Sequence, residues 1–162
     1  MADQAIQDLY AEDYSHCYGC GRLNSHGLQI KSYWSEGECI CRFKPKPYHI
    51  AIPGYVYGGL IASIIDCHAT GTAAAVMYNN ESDKNQKDPP PRFLTASLQI
   101  DYLKPTPLGV TLEVRAIPIE IKGRKVVVNA ELYAEDTLCA QGKVVTIQMP
   151  EERLQELIKN DR

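Results

Sequence analysis

The feature that most constrains this chain is the segment GYVYGGLIASIIDCHATGTAAAVM, residues 54–77, almost wholly apolar or small and carrying a single acid, Asp66. It is too long for a strand and rich in alanine, so a helix is predicted over residues 58–78. Apolar side chains fall on nearly every side of that helix, the mark of one enclosed by other structure. Asp66 is the one acid between Glu38 and Glu81, and an ionised carboxylate inside apolar packing carries a desolvation cost. Two readings are open for it. It bonds a neighbouring backbone, or Ser63 or Thr70 on its own helix, or it is a group kept for chemistry in a pocket.

The rest of the chain has to supply the enclosure. GLQIKSYW and ECICRFKP alternate around SEG and read as a hairpin. FLTASLQIDYL puts Leu94, Ala96, Leu98, Ile100 and Tyr102 on one face and Thr95 on the other. VTLEVRAIPIEI begins with Val110, Leu112 and Val114 in phase and then slips to Ile117, Ile119 and Ile121, which predicts a bulge or an edge position at Pro118. GRKVVVNAELY and LCAQGKVVTIQM complete a meander, and PEERLQELIKN forms a C-terminal helix opened by Pro150. Residues 1–13 read as a short amphipathic helix with Ile6, Leu9 and Tyr10 on one side, and NNESDKNQKDPPP reads as an exposed polar loop. Consecutive strands with short turns argue for an antiparallel sheet with the lone long helix on one face, the α+β class. A chain of 162 residues holds one such domain.

The net charge of -3 and pI near 5.8, with no basic stripe, argue against nucleic acid as a partner. No secretory leader pattern is visible, and no run of 18 apolar residues suggests a transmembrane span. Six cysteines fall as Cys17-x-x-Cys20, Cys39-x-Cys41 and the isolated Cys67 and Cys139. Reduced thiols in the cytoplasm are the expectation. A structural zinc on Cys17, Cys20, Cys39 and Cys41, with His16 and His26 nearby, is the alternative. Cys39 and Cys41 also share one face of a predicted strand, as half-buried thiols do.

The Gly58-Gly59 pair sits where the long helix begins. Helix N-termini expose unpaired N–H groups and the positive dipole end, and glycine admits a ligand carbonyl close to those amides. That is an oxyanion hole in outline, worth about 3–4 kcal/mol per donor. Eight residues separate Gly58 from Asp66, roughly 12 Å along the axis. One carbonyl therefore cannot meet both in the same chain. Two antiparallel copies of the helix across a two-fold axis solve this, so an obligate homodimer is predicted, with the glycine amides of one subunit facing the carboxylate of the other.

With CYGCGRLNSHGL, YGGLIASIID, TASLQIDYLKPTP (residues 95–107) and KGRKVVVNAELY in this order, residues 17–149 resemble the hotdog-fold acyl-CoA thioesterases. The branch is that of the phenylacetyl-CoA and 4-hydroxybenzoyl-CoA enzymes, which also holds mammalian long-chain acyl-CoA thioesterases. The resemblance implies an antiparallel sheet of five to six strands wrapped around one long central helix. It divides the chain into a lead-in at 1–26, a hotdog domain at 27–149 and a C-terminal helix at 150–162. It also implies hydrolysis of an acyl-CoA to acid and CoA without metal or redox cofactor, in the cytoplasm, by a dimer whose relatives often pair into tetramers.

By the same resemblance Asp66 acts as general base or nucleophile, and Gly58 with Gly59 inherits the oxyanion amide. Thr95 takes the place of the threonine that orients water; as a residue it is equally a plain β-former. Tyr57 stands where the family carries histidine, and a phenol with a pKa near ~10 donates but is no base near neutrality. A non-catalytic acyl-CoA or acyl-carrier binder is therefore the alternative reading. His49, before the Gly-Gly motif, and Tyr55 are pocket candidates, with Tyr57 and Trp34 as further lining. Lys104, Lys122, Arg124 and Lys125, and Arg92 beside them, are candidate cations for the CoA phosphates. His68 is two residues past Asp66, roughly 200° around the helix, and reads as packing or interface.

Overall fold

The computed structural model describes residues 2–80 and 88–161, so the middle of the polar loop expected at NNESDKNQKDPPP lies outside the described residues. The elements run β1 (Tyr33–Ser35), β2 (Glu38–Phe43), α1 (Gly58–Asn80), β3 (Phe93–Tyr102), β4 (Leu112–Lys122), β5 (Lys125–Ala134), β6 (Thr137–Gln148) and α2 (Glu151–Asp161). Two strands, one long helix and four strands is the expected order. The six strands form one antiparallel sheet in the order β1-β2-β4-β5-β6-β3. This is the hotdog arrangement, a sheet wrapped around one long helix.

α1 carries the chain across the sheet, so the strand that follows it joins the far edge beside β6 rather than pairing with β2. Its fully buried Ile64 and Ile65, with Ala69, Ala73, Ala74 and Ala75, pack in a core with Val114, Val126, Val128, Leu132 and Val144 of the sheet. Burying each Ile contributes about 1.5–3 kcal/mol. The closest approach is at Gly142 of β6, where a Cβ would lie 2.7 Å from Ile65 Cγ2 and 3.1 Å from Ile100 Cδ1. Among the described residues α1 is the one helix long and apolar enough to cross a bilayer, yet 72% of its most apolar window is buried inside the protein. A stripe of small and polar residues, Gly58, Gly59, Ala62, Ser63, Asp66 and Thr70, is only half-buried.

Local chemistry accounts for the turns and irregularities. The β1–β2 turn holds Glu36 and Gly37 at φ 48 and 97, the doubly positive pattern of a tight hairpin. The predicted irregularity in β4 is present: the register shifts between Pro118 and Glu120. An unpredicted one lies in β3, between Thr95 and Ser97. It breaks the simple alternation read from FLTASLQIDYL. Thr95 pairs with the fully buried Thr146, and beyond the bulge Leu98 pairs with the fully buried Val144. The helix-facing set is thus Phe93, Thr95, Leu98, Ile100 and Tyr102, while Leu94 turns outward.

The N-terminus corrects another expectation. Residues 1–13 do not form one amphipathic helix but two single 3-10 turns, Ile6–Asp8 and Glu12–Tyr14. Tertiary contacts hold this segment: Ala2 N–H donates to Trp34 O at 2.6 Å and Ile6 N–H to Ser32 O at 3.0 Å. α2 begins just after Pro150 as read, and its side chains are half-buried or exposed.

Candidate active site

Asp66 sits two turns into α1, half-buried, and the Thr95 hydroxyl of β3 donates to its Oδ1. The alternative partners are engaged elsewhere: Ser63 Oγ donates to Gly59 O at 2.8 Å, and Thr70 Oγ1 to Cys67 O at 3.0 Å. The carboxylate is thus not tied to its own helix. Thr95 reaches it only because of the bulge, which turns the hydroxyl toward α1.

At the other end of the same strand, Tyr102 Oη donates to Gly58 O at 2.8 Å. β3 therefore holds α1 at both the acid and the glycine end. Leu60 and Ile61 send their N–H groups back to Tyr57 O at 3.1 and 3.4 Å. The amides of Gly58 and Gly59 precede any intrahelical acceptor and remain the donors at the helix start. The Tyr57 ring folds over Gly59, where an added Cβ would lie 2.4 Å from the ring and 2.5 Å from its hydroxyl. Beside Gly58 opens a cleft of about 440 Å³ whose lining includes Tyr55, Val56, Ile61, Tyr102, Lys104 and Thr106. That volume falls in the range of small-molecule sites.

The remaining candidates divide between the ends of β3. Tyr55 and Lys104 line the cleft with Gly58. His49 is half-buried outside that lining, accepting from Lys46 N–H through Nδ1 at 3.0 Å and stacked on Phe43. Its carbonyl accepts from Tyr57 N–H at 2.9 Å, so it shapes the approach to the glycines. Burial, and then Lys46, hold its imidazole pKa below the ordinary value. Lys122, Arg124 and Lys125 cluster instead at the β4–β5 turn. From Val126, the rung runs through Thr146 to Thr95, two strand spacings or roughly 10 Å. Lys125 is paired with Glu120, which leaves Lys122 and Arg124 as the exposed cations of that turn. Within one chain the basic turn lies at the Asp66 end and the cleft at the glycine end.

The Thioesterase superfamily model matches residues 53–141, a stretch that contains the glycine pair, Asp66, Thr95 and Tyr102. This chain belongs to the thioesterase superfamily. The crystal structure of a thioesterase superfamily protein from Shewanella loihica PV-4 superposes with a TM-score of 0.65 at 48% identity, covering 85% of this chain and 96% of that one. Acyl-coenzyme A thioesterase THEM4 of Xenopus laevis is 31% identical over 112 residues, 68% of this chain and 45% of that protein. The Mus musculus protein of the same name is 34% identical over 131 residues, 78% of this chain and 51% of that protein. The chain spans about half the length of the curated relatives it matches. The structure of smu.793 from Streptococcus mutans UA159 bound to acetyl CoA has a TM-score of 0.59, covering 74% of this chain and 88% of that one. At 16% identity that is a likeness of fold alone.

In this superfamily member several residues work away from their expected place. Trp34 lies on β1, at the opposite edge of the sheet from β3, and packs on the core rather than on the cleft. Arg92 stacks on Tyr10 at 4.1 Å, so its guanidinium is engaged with the N-terminal segment. His68 is packing, as read: Nε2–H donates to Cys39 O at 3.0 Å, and Nδ1 accepts the Ser32 hydroxyl at 2.7 Å. Burial lowers its pKa to about 4, so it is neutral. Sequence reasoning missed Tyr102 as the brace of Gly58, and missed Thr106, a buried hydroxyl with no hydrogen-bond partner among the described residues, which lines the cleft.

The cysteine grouping also differs from expectation. Cys39 and Cys41 point into the core from β2, while Cys17 and Cys20 meet Cys67 of α1, all three sulfurs within 4.8 Å. Hydrogen bonds from the Cys20 and Cys67 thiols, then from the N–H groups of Cys20 and Gly19, hold the Cys17 thiol far below the usual range. His16 and His26 are exposed.

Proposed function

We propose that this protein hydrolyses an acyl-CoA thioester to the free acid and CoA in sites shared by two subunits. Asp66 of one chain is the general base or nucleophile, and the Gly58 and Gly59 amides of the other form the oxyanion hole. The observation that carries this is Asp66 held by the Thr95 hydroxyl, free of its own helix, on the half-buried face of α1. As a base the carboxylate takes a proton from water while the water oxygen attacks the thioester carbon. The oxyanion rests on the glycine amides, the C–S bond breaks, and the CoA sulfur leaves with the proton. As a nucleophile it attacks the thioester carbon and forms a mixed anhydride as the C–S bond breaks and CoA thiolate leaves to be protonated by solvent. Water then opens the anhydride, releasing the acid and restoring the carboxylate.

The same arguments support a homodimer, with a dimer of dimers as its natural extension. The acid and the glycines are eight residues apart on one helix, roughly 12 Å. β3 is an edge strand with Leu98 and Tyr102 exposed on its helix-facing side. An antiparallel partner would cover that edge and bring the cleft, with Tyr55 and Lys104, to the other chain's Asp66 and basic turn. Lys122 and Arg124 would then face the CoA phosphates, with His49 and Tyr57 at the mouth. Relatives named acyl-coenzyme A thioesterase favour this substrate class. Six unpaired cysteines suit the cytoplasm. Residues 27–149 form the hotdog unit in this reading, with 1–26 as lead-in and 150–162 as an appended helix.

One observation favours a second reading. Tyr57, in place of a histidine, folds over Gly59, which suits a binder of acyl-CoA or acyl carrier that does not cleave. Thiol release from short, aromatic and long acyl-CoAs separates the two. A hydrolase cleaves at least one class and loses that activity in Asp66→Asn while still binding it. Wild-type protein that binds acyl-CoA and releases no thiol from any of them leaves only the binder.

A further inference from the structure

We propose that Cys17, Cys20 and Cys67 hold a structural zinc ion that fastens the N-terminal lead-in to α1 one residue beyond Asp66. This inference is independent of the hydrolase reading, since the metal would take no part in thioester chemistry. Three observations carry it: the spacing of the sulfurs, the construction of the loop, and the charge beside it.

Cys17 Sγ and Cys67 Sγ lie 3.9 Å apart, and all three sulfurs fall within 4.8 Å of one another. Two thiolates bound at ~2.3 Å to one tetrahedral zinc are separated by ~3.8 Å, so the sulfurs already stand near coordination distance. Two of the three side chains belong to a Cys-x-x-Cys turn, and the third comes from the rigid core helix.

The turn is built around these sulfurs. Gly21 N–H donates to Cys17 O at 2.8 Å and closes it, while the N–H groups of Gly19 and Cys20 point at the Cys17 sulfur. Gly19 packs so closely on Cys67 that a Cβ there would lie 2.2 Å from its Sγ. Cys20 and Cys67 are buried, at 3% and 7% exposure, and Cys17 is half-buried. In the proposed site water supplies the fourth ligand, entering past Cys17, the least buried of the three. Among the described residues no further cysteine, histidine or carboxylate joins this group.

Charge favours the ion as well. Zinc with three thiolates carries one net negative charge, and the guanidinium of Arg92, stacked on Tyr10, acts electrostatically on both Cys17 and Cys20. Each Zn–S bond that forms replaces an S–H proton, which leaves to solvent, and neither metal nor sulfur changes oxidation state. Soft thiolate donors select zinc over magnesium or calcium.

The test uses the full chain without a histidine tag, purified in reducing buffer. Elemental analysis is expected to give one zinc per chain. Replacement by cobalt should give the charge-transfer and visible bands of tetrahedral thiolate coordination. Cys17→Ser, Cys20→Ser and Cys67→Ser each abolish them, while Cys139→Ser, outside the group, keeps them. Should a serine variant fail to fold, alkylation of wild-type protein reads the same point: zinc shields Cys17, Cys20 and Cys67 and leaves the other three thiols unchanged. Stripping the metal should lower Tm by about 5–10 °C. Protein that neither retains zinc nor binds added zinc or cobalt at micromolar concentration overturns the proposal. So does a disulfide among these three cysteines in metal-free protein purified in reducing buffer.

Discussion

Asp66 owes its setting to one neighbour. A hydrogen bond to a charged group contributes about 1.5–3 kcal/mol, so Thr95→Val should lower kcat/KM about 10- to 100-fold if that bond orients the reacting carboxylate. Steady-state thiol release measures this, and circular dichroism confirms that the fold is kept. Asp66→Asn should be more severe, about 10²- to 10⁴-fold in kcat, the usual contribution of a positioned base. Gly59 gives a steric test of the proposed oxyanion end. The atoms an added methyl would meet belong to the mobile end of Tyr57, so Gly59→Ala should swing that ring away and leave the helix folded. Its tyrosine fluorescence and its affinity for acyl-CoA should change while its Tm holds.

Among the elements, α1 was the most legible in the sequence, because an all-round apolar segment of its length has few other fates. The bulge near Pro118 was legible too, since proline and a phase slip coincide there. The bulge in β3 was not: Leu94, Ala96 and Leu98 keep perfect alternation, and only pairing with β6 shows which face each takes. Thr95 was therefore named through family likeness while its own alternation placed it on the wrong face. The Cys67 partnership was equally hidden, because it joins residues 50 apart in the chain.

α1 also carries a buried polar chain that sets its response to acid. Gln7 Nε2 donates to Ser32 Oγ at 2.9 Å, the Ser32 hydroxyl donates to His68, and His68 donates to the Cys39 carbonyl. Unfolded, the imidazole binds a proton below its ordinary value near 6.5; folded, it resists until about pH 4. The unfolded state thus holds more protons between these limits. Stability is full above pH 6.5 and falls on acidification toward pH 4, by about 3 kcal/mol in all. Urea midpoints across that window should fall in the wild type and change less in His68→Gln. Gly71→Ala should cost about 1–3 kcal/mol at neutral pH, because its methyl would sit 2.6 Å from Gln7 Nε2 and 2.8 Å from Ser32 Oγ.

At the scale of the whole molecule, the question is which chain supplies each half of a site. Mixing Asp66→Asn protein with a Gly59→Val partner, after dissociation and reassociation, gives a decisive reading. If sites are shared, each mixed dimer has one site with both lesions and one with neither, and random pairing restores about a quarter of wild-type activity. If a single chain supplies both groups, nothing returns. The exposed edge of β3 bears on how such a molecule comes into being. If chains pair as proposed, a newly made chain that has not met its twin exposes the outer edge of a ten-residue strand, a template for stray strands. On that reading the hazardous interval is the search for a mate, and sparse synthesis, which lengthens that search, should yield more clumped protein per chain made than brisk synthesis.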